Sequence, residues 1–166
     1  DPRKVEASVT YSYPFDCITV SKWCKEWLKS DFNKEAKWIY NGIDIEQYRP
    51  HKREFKDKIR ILIEGDSSSP HKNVDEAFMI TNKLDSSNYE IWYMSYNAKP
   101  KDWYRVDKFL HRVPYEEVQK VYADCDILLK TSLLESFSYP PIEMMATGGY
   151  VVALLNDGNK EYLEDG

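Results

Sequence analysis

The chain has 166 residues, with 23 Lys plus Arg against 28 Asp plus Glu and a formal net charge of −5. An acidic balance argues against a nucleic-acid partner, because binders of that kind draw affinity from neutralising phosphates. At 42% hydrophobic and 31% charged residues, the chain has the composition of a folded globular domain rather than a disordered one. No apolar run approaches the roughly 18 residues of a membrane span. The opening Asp-Pro-Arg-Lys leads into no apolar signal region. The expectation is a cytoplasmic protein with no integral membrane segment, peripheral to the membrane at most in a full-length parent. Cys17, Cys24 and Cys125 are an odd number at unrelated spacings and read as free thiols. His51, His71 and His111 form no ligand-spaced cluster with them, so no metal site is expected. Aromatic residues are plentiful at 14%, which suits stacking on sugars, although core packing accounts for most of them.

In chain order, short β-branched or aromatic runs predict strands at Cys17 to Val20, Trp38 to Tyr40, Ile59 to Ile63, Tyr89 to Met94, Ile127 to Leu129 and Val151 to Leu155. Helical spacing fills the intervals. Over Asn73 to Leu84, Val74, Ala77, Phe78 and Leu84 share a face, and Asn73 with Glu76 suggests a capping box. Tyr115 to Asp124 follows Pro114 and carries Val118, Val121 and Tyr122 on one stripe. Pro140 to Thr147 starts with prolines and stops at Gly148-Gly149. Continuous apolar strands such as Ile59-Arg-Ile-Leu-Ile, alternating with helices, predict an α/β fold with a doubly wound parallel sheet. The charged, apolar-poor stretch from Arg49 to Lys58 reads as a linker. It divides the chain into residues 1–50, a strand-helix-strand piece too small for its own core, and residues 51–166.

Ligands of open parallel sheets bind beyond the strands' carboxyl ends. Two loops there are rich in functional groups. Glu64-Gly65-Asp66-Ser67-Ser68-Ser69-Pro70-His71-Lys72-Asn73 runs from a strand to a helix and ends in a lysine, a candidate anion cradle that lacks the Walker pattern. Read alone, it is equally well a solvated loop. The segment after Asp126-Ile-Leu-Leu places Glu135 past a strand end and Glu143 in the following helix. The amides of Ser138, Tyr139 and Ile142 face the same space, where a diphosphate fits. On the residues alone, Glu143 also suits the helix dipole and Glu135 a surface position. One pocket shared by both carboxylates is the geometric expectation.

The stretch from Glu135 to Glu143 resembles the E-x7-E signature of retaining GT-B glycosyltransferases of group 1, or family 4. Asn41-Gly42-Ile43-Asp44 resembles the NGxD turn of that family. Tyr122-Ala-Asp-Cys-Asp-Ile-Leu-Leu and Met145-Ala-Thr-Gly-Gly-Tyr-Val-Val resemble the segments flanking its signature. The likeness runs from about Asp16 to the end of the chain.

The resemblance implies a Rossmann-like donor domain at 51–166 with a remnant of the N-terminal acceptor-side domain and hinge at 1–50. It also implies transfer of a sugar from a nucleotide-diphosphate donor to a glycan or lipid-linked acceptor. The nucleotide sugar is a substrate, and no cofactor is implied. Carried over residue by residue, Glu135 reaches hydroxyls of the donor sugar, Lys72 steadies the departing diphosphate, and Glu143 meets the ribose hydroxyls. Ser136, Phe137, Ser138 and Tyr139 face the sugar and diphosphate, Gly65, Asp66 and Ser67 line the phosphate side, and Arg112 and Val113 lie near the base. The chain departs from the pattern at Asp66, where the family has arginine. It also departs at Ser136 and Ser138, where the family has glycines, and at Tyr150 and His111. These departures sustain an alternative, a noncatalytic nucleotide-binding module of the same fold. A glycosidase with Glu135 and Glu143 as acid and base is a weaker third reading. Half of such a cleft is missing from the chain, so the expectation is a fragment inactive by itself.

Overall fold

The computed structural model describes residues 8–54 and 56–164, so the two extremities of the expected segments and position 55 of the expected linker lie outside the described residues. A first unit comprises β1 (Cys17–Thr19), α1 (Lys22–Phe32) and β2 (Ala36–Trp38), with the two strands parallel. Ser21 caps α1 by accepting from the Cys24 amide at 3.4 Å, and Asn33 ends it in the left-handed region at φ 52. The main sheet contains β3 (Ile59–Glu64), β4 (Tyr89–Ser95), β5 (Lys108–His111), β6 (Ile127–Lys130) and β7 (Tyr150–Ala153). Its order is β5-β4-β3-β6-β7 and every pairing is parallel. Between the strands lie α2 (Val74–Thr81), α3 (Tyr115–Asp124) and α4 (Tyr139–Ala146).

The apolar strands are continuous because both faces are covered. Ile61, Ile63, Ile91, Tyr93 and Leu129 pack against Val74, Ala77 and Phe78 of α2. Leu62, Trp92 and Leu128 on the opposite face pack against Val121 and Tyr122 of α3 and Met144 of α4. The α/β doubly wound expectation therefore holds, and α3 matches its predicted span.

Five points of the sequence reading need correction. The expected strand Trp38 to Tyr40 shifts back to Ala36–Trp38, and Val151 to Leu155 shifts to Tyr150–Ala153. β5 has no counterpart in the sequence reading, because Phe109 and Leu110 alone are too short an apolar signal for a half-exposed edge strand. Asn73 does not cap α2: it sits at φ 50, its side chain makes no cap hydrogen bond to the helix, and its Nδ2 donates to the Glu76 carboxylate. The described residues of the stretch from Arg49 to Lys58 are irregular, yet anchored. Arg53 donates from Nε to the Gly148 carbonyl at 2.8 Å, from NH2 to those of Tyr122 and Thr147 at 3.1 and 3.3 Å, and from NH1 to that of Cys125. One guanidinium thus satisfies the carboxyl ends of α3 and α4 together.

Candidate functional site

β3 and β6 are neighbours in register through Ile63 and Leu129, and each ends in a charged residue, Glu64 and Lys130. Lys130 is buried, its side chain 1% exposed, and its ammonium donates to Glu64 Oε2 at 2.5 Å and to the Glu64 carbonyl at 3.2 Å. Burial pulls the Lys130 ammonium down, but the charge of Glu64 and then of Glu135 outweighs it and holds the group above its ordinary value. Glu135 Oε1 lies 3.5 Å from the same nitrogen. Lys72, at the end of a short 3₁₀ turn (Pro70–Lys72), donates to both oxygens of Glu135 at 2.8 and 2.9 Å. Burial by itself raises the Glu135 carboxyl. The Lys72 hydrogen bond and the Lys130 charge more than offset that and hold it below the usual carboxylate range.

Glu135 precedes α4, whose first turn carries Pro140 and Pro141. Ser138 stands at the helix N-terminus at φ 67, a left-handed conformation that favours glycine, and its buried Oγ has no hydrogen-bond partner among the described residues. The loop is braced from two sides. The Ser136 carbonyl accepts from Trp23 Nε1 of α1 at 3.0 Å, and the Ser138 carbonyl accepts from the Tyr162 hydroxyl. Phe137 is buried between the rings of Tyr139 and Tyr162, each 5.3 Å away. Gly158, after β7, completes the support: a Cβ there would fall 2.3 Å from the Glu135 carbonyl oxygen, so only glycine fits.

Glu143 faces a different space. With Tyr48, Glu64, Met94, Ser95, Tyr96, Val113, Tyr115 and Tyr139 it lines a hollow of about 240 Å³ at the carboxyl ends of β3 and β4. Burial raises the Glu143 carboxyl, with the nearby Glu64 charge adding to it, against the phenols of Tyr48 and Tyr122 beside it. Tyr48 arrives there from the Asn41-Gly42-Ile43-Asp44 turn, where Asp44 Oδ1 accepts from the amides of Glu46 and Gln47 at 2.9 and 3.2 Å. The single shared pocket expected for the two carboxylates is thus corrected. Glu64, Lys130, Glu135 and Lys72 form a row of alternating charge, with Glu143 near the Glu64 end as a like-charged neighbour, because Glu64 and Lys130 end two adjacent strands. Val113 joins the hollow, while Arg112, at φ 55, turns its guanidinium toward the Tyr96 carbonyl and ring.

In the loop after β3, Gly65 lies beside both lysines: a Cβ there would stand 3.5 Å from Lys72 Cβ and 3.8 Å from Lys130 Nζ. Its φ of 145 is open to glycine. Asp66 turns into its own loop and accepts from the Ser68 hydroxyl and amide at 2.7 and 2.9 Å, which hold it below the ordinary carboxylate range. The Ser67 amide donates to the Tyr93 hydroxyl at 3.3 Å. Among the described residues no group of three or more His, Cys, Asp or Glu side chains is placed to hold a metal ion. No helix there is long and apolar enough to cross a membrane.

A family model described as glycosyl transferases group 1 matches residues 106–166, the span that holds β5, α3, β6, the Glu135 loop, α4 and β7. Over that span the chain is similar to the group 1 glycosyl transferases. Over 148 residues, 81% of its length, it is 28% identical to the O-antigen chain mannosyltransferase RfbU of Salmonella typhimurium. The fold recurs in HepE of Anabaena, solved in complex with UDP-glucose, with a TM-score of 0.76 and 19% identity over 98% of this chain and 50% of that one. It recurs also in sucrose-phosphate synthase of Thermosynechococcus elongatus, with a TM-score of 0.71 and 15% identity over 92% of this chain and 44% of that one. A TarM variant of S. aureus, solved with fondaparinux, alpha-GlcNAc-glycerol and UDP, gives a TM-score of 0.71 and 17% identity over 90% of this chain and 32% of that one. The chain spans 40% of the length of RfbU and half of HepE.

Sequence reasoning missed Glu64, Lys130, Tyr48 and Gly158. A signal existed for the first two, since a lone charge of opposite sign ends each of two apolar strands. None existed for Tyr48 or Gly158, whose roles depend on distant chain segments meeting.

Proposed function

We propose that the intact protein transfers a sugar, with retention at its anomeric carbon, from a nucleotide-diphosphate donor to a glycan or lipid-linked acceptor. The donor lies along the carboxyl edge of this domain. The observation that carries the reading is the Lys72 ammonium gripping both Glu135 oxygens beside the N-terminus of α4. Bond cleavage leaves negative charge on the diphosphate, and Lys72 with the amides at the α4 tip supplies fixed positive potential there. Glu135, kept ionised, accepts a hydrogen bond from a donor-sugar hydroxyl, and Glu143 from the ribose. The base occupies the hollow by Val113, Tyr96 and Tyr115. Two departures from the family pattern are accommodated locally: Asp66 spends its charge within its own turn, and Ser138 adopts the backbone conformation that a glycine would take. HepE solved with UDP-glucose and TarM with UDP lend the donor class support, and RfbU the glycan acceptor.

Calorimetric titration with UDP, GDP, ADP and their sugars identifies the donor. In the intact protein, Glu135→Ala is expected to lower sugar transfer by about 10²-fold or more while nucleotide binding and the circular-dichroism spectrum persist. Transfer unchanged by the substitution overturns the reading. Nucleotide binding by the wild type without any transfer favours the noncatalytic module.

A further inference from the structure

Glu135 has two ammonium partners of unlike character. Lys72 is 26% exposed and projects from a loop turn, whereas Lys130 is 1% exposed and fixed on a strand by the Glu64 carboxylate and carbonyl. In the structure Lys72 takes both Glu135 oxygens, and Lys130 waits at 3.5 Å without a short contact to it. A diphosphate arriving at the sheet edge competes for the accessible ammonium, since charge-assisted hydrogen bonds to phosphate oxygens rival those to a carboxylate. Glu135, only 12% exposed, then loses its principal partner in surroundings that favour the neutral acid. The other groups that face it offer no substitute charge. The Ser132 hydroxyl is neutral, the Tyr162 hydroxyl donates to the Ser138 carbonyl, and Gly158 brings backbone alone.

Resting on the donor-site reading above, we propose that Lys130 is a positioning residue that keeps Glu135 ionised and aimed at the donor when the diphosphate draws Lys72 away. Glu64 sets how far Lys130 leans toward Glu135. Lys72 serves the ligand, Lys130 serves the carboxylate, and the division follows from which of them can move.

The test compares Lys130→Met, Lys130→Arg, Glu64→Gln and Lys72→Met in the intact protein. The readouts are UDP and GDP binding by calorimetry and the pH profile of kcat, which reports the donor-bound enzyme, for consumption of UDP-glucose and GDP-mannose. Lys130→Met is expected to move the acid limb of kcat up by about one pH unit while diphosphate affinity changes less than about threefold. Lys130→Arg restores the limb. Lys72→Met instead weakens diphosphate binding by about tenfold or more. Glu64→Gln frees Lys130 for Glu135 and moves the limb to lower pH, which decides the matter should Lys130→Met not fold. An acid limb unmoved in both Lys130→Met and Glu64→Gln overturns the proposal. Diphosphate binding lost as severely in Lys130→Met as in Lys72→Met overturns it too, because Lys130 is then a ligand of the anion. A wild type that binds neither UDP nor GDP and consumes neither sugar sinks the donor-site reading itself, a failure distinct from an active wild type whose limb does not respond.

Discussion

Cationic side chains at opposite ends of the main sheet show how the same charge serves different ends. At the amino edge, Arg53 spends its guanidinium on carbonyls at the carboxyl ends of α3 and α4. At the carboxyl edge, Lys130 and Lys72 spend theirs on the carboxylates of Glu64 and Glu135. Carbonyl dipoles neither titrate nor leave, so Arg53 is structural cement. Carboxylates titrate, and an anionic ligand can displace them from an ammonium, so the lysine end can respond to pH and to a bound diphosphate. Arg53 makes the scaffold, and the two lysines, Lys130 fixed and Lys72 accessible, make the site.

The comparison is sharpened most by removing the cement. Arg53→Ala leaves several helix-end carbonyls without a donor and is expected to lower stability by about 3 kcal/mol in urea titration, without changing nucleotide affinity in the folded fraction. An effect on affinity with stability intact would erase the distinction. Next is Gly158→Ala, where the added methyl collides with the Glu135 backbone. Overpacking of this kind costs about 2 kcal/mol. Donor consumption is expected to fall further than folding does, because Glu135 is displaced. Ser138→Gly relieves a left-handed residue whose hydroxyl has no partner, and thermal melts are expected to show a gain of about 1 kcal/mol.

The smallest effects are those of the two signature carboxylates on stability against pH, and they have opposite signs. Glu135 is depressed in the folded state, so its contribution is present above the ordinary carboxylate range and is lost as pH falls through the lower folded value. Glu143 is raised, so the folded state holds its proton longer and stability declines as pH climbs from the ordinary range through the higher folded value. Glu143→Gln therefore stabilises by about 1 kcal/mol or less near neutral pH and removes that decline, whereas Glu135→Gln removes the acid-side loss. Chemical denaturation at a series of pH values reads both. Slopes of the same sign would break the contrast drawn between the lysine-bound carboxylate of Glu135 and the buried one of Glu143.

Much of the fold was legible because its signals are local. Leu62, Leu128 and Trp92 sit in runs apolar enough to announce strands covered on both sides, and Pro114 and the pair Pro140-Pro141 mark helix starts by their fixed φ. β5 escaped because an edge strand needs few apolar residues. The cap predicted at Asn73 failed because the chain enters α2 directly from a 3₁₀ turn, which forces that residue into the left-handed region. In the site, Lys72, Glu135 and Glu143 stood out by type and position. Their partners did not, since Tyr48 reaches Glu143 from the first unit and Gly158 reaches Glu135 from beyond β7.

By itself the sequence determined a parallel sheet wrapped by helices and the two loops that crown it, since periodicity and chain-breaking residues act over a few positions. Only the tertiary structure decided which charges meet. Strand order puts Glu64 beside Lys130, and the row from Glu64 to Lys72 exists because β3 and β6, far apart along the chain, are neighbours in space. Electrostatic pairing depends on distance through space, and residue order alone does not contain that distance.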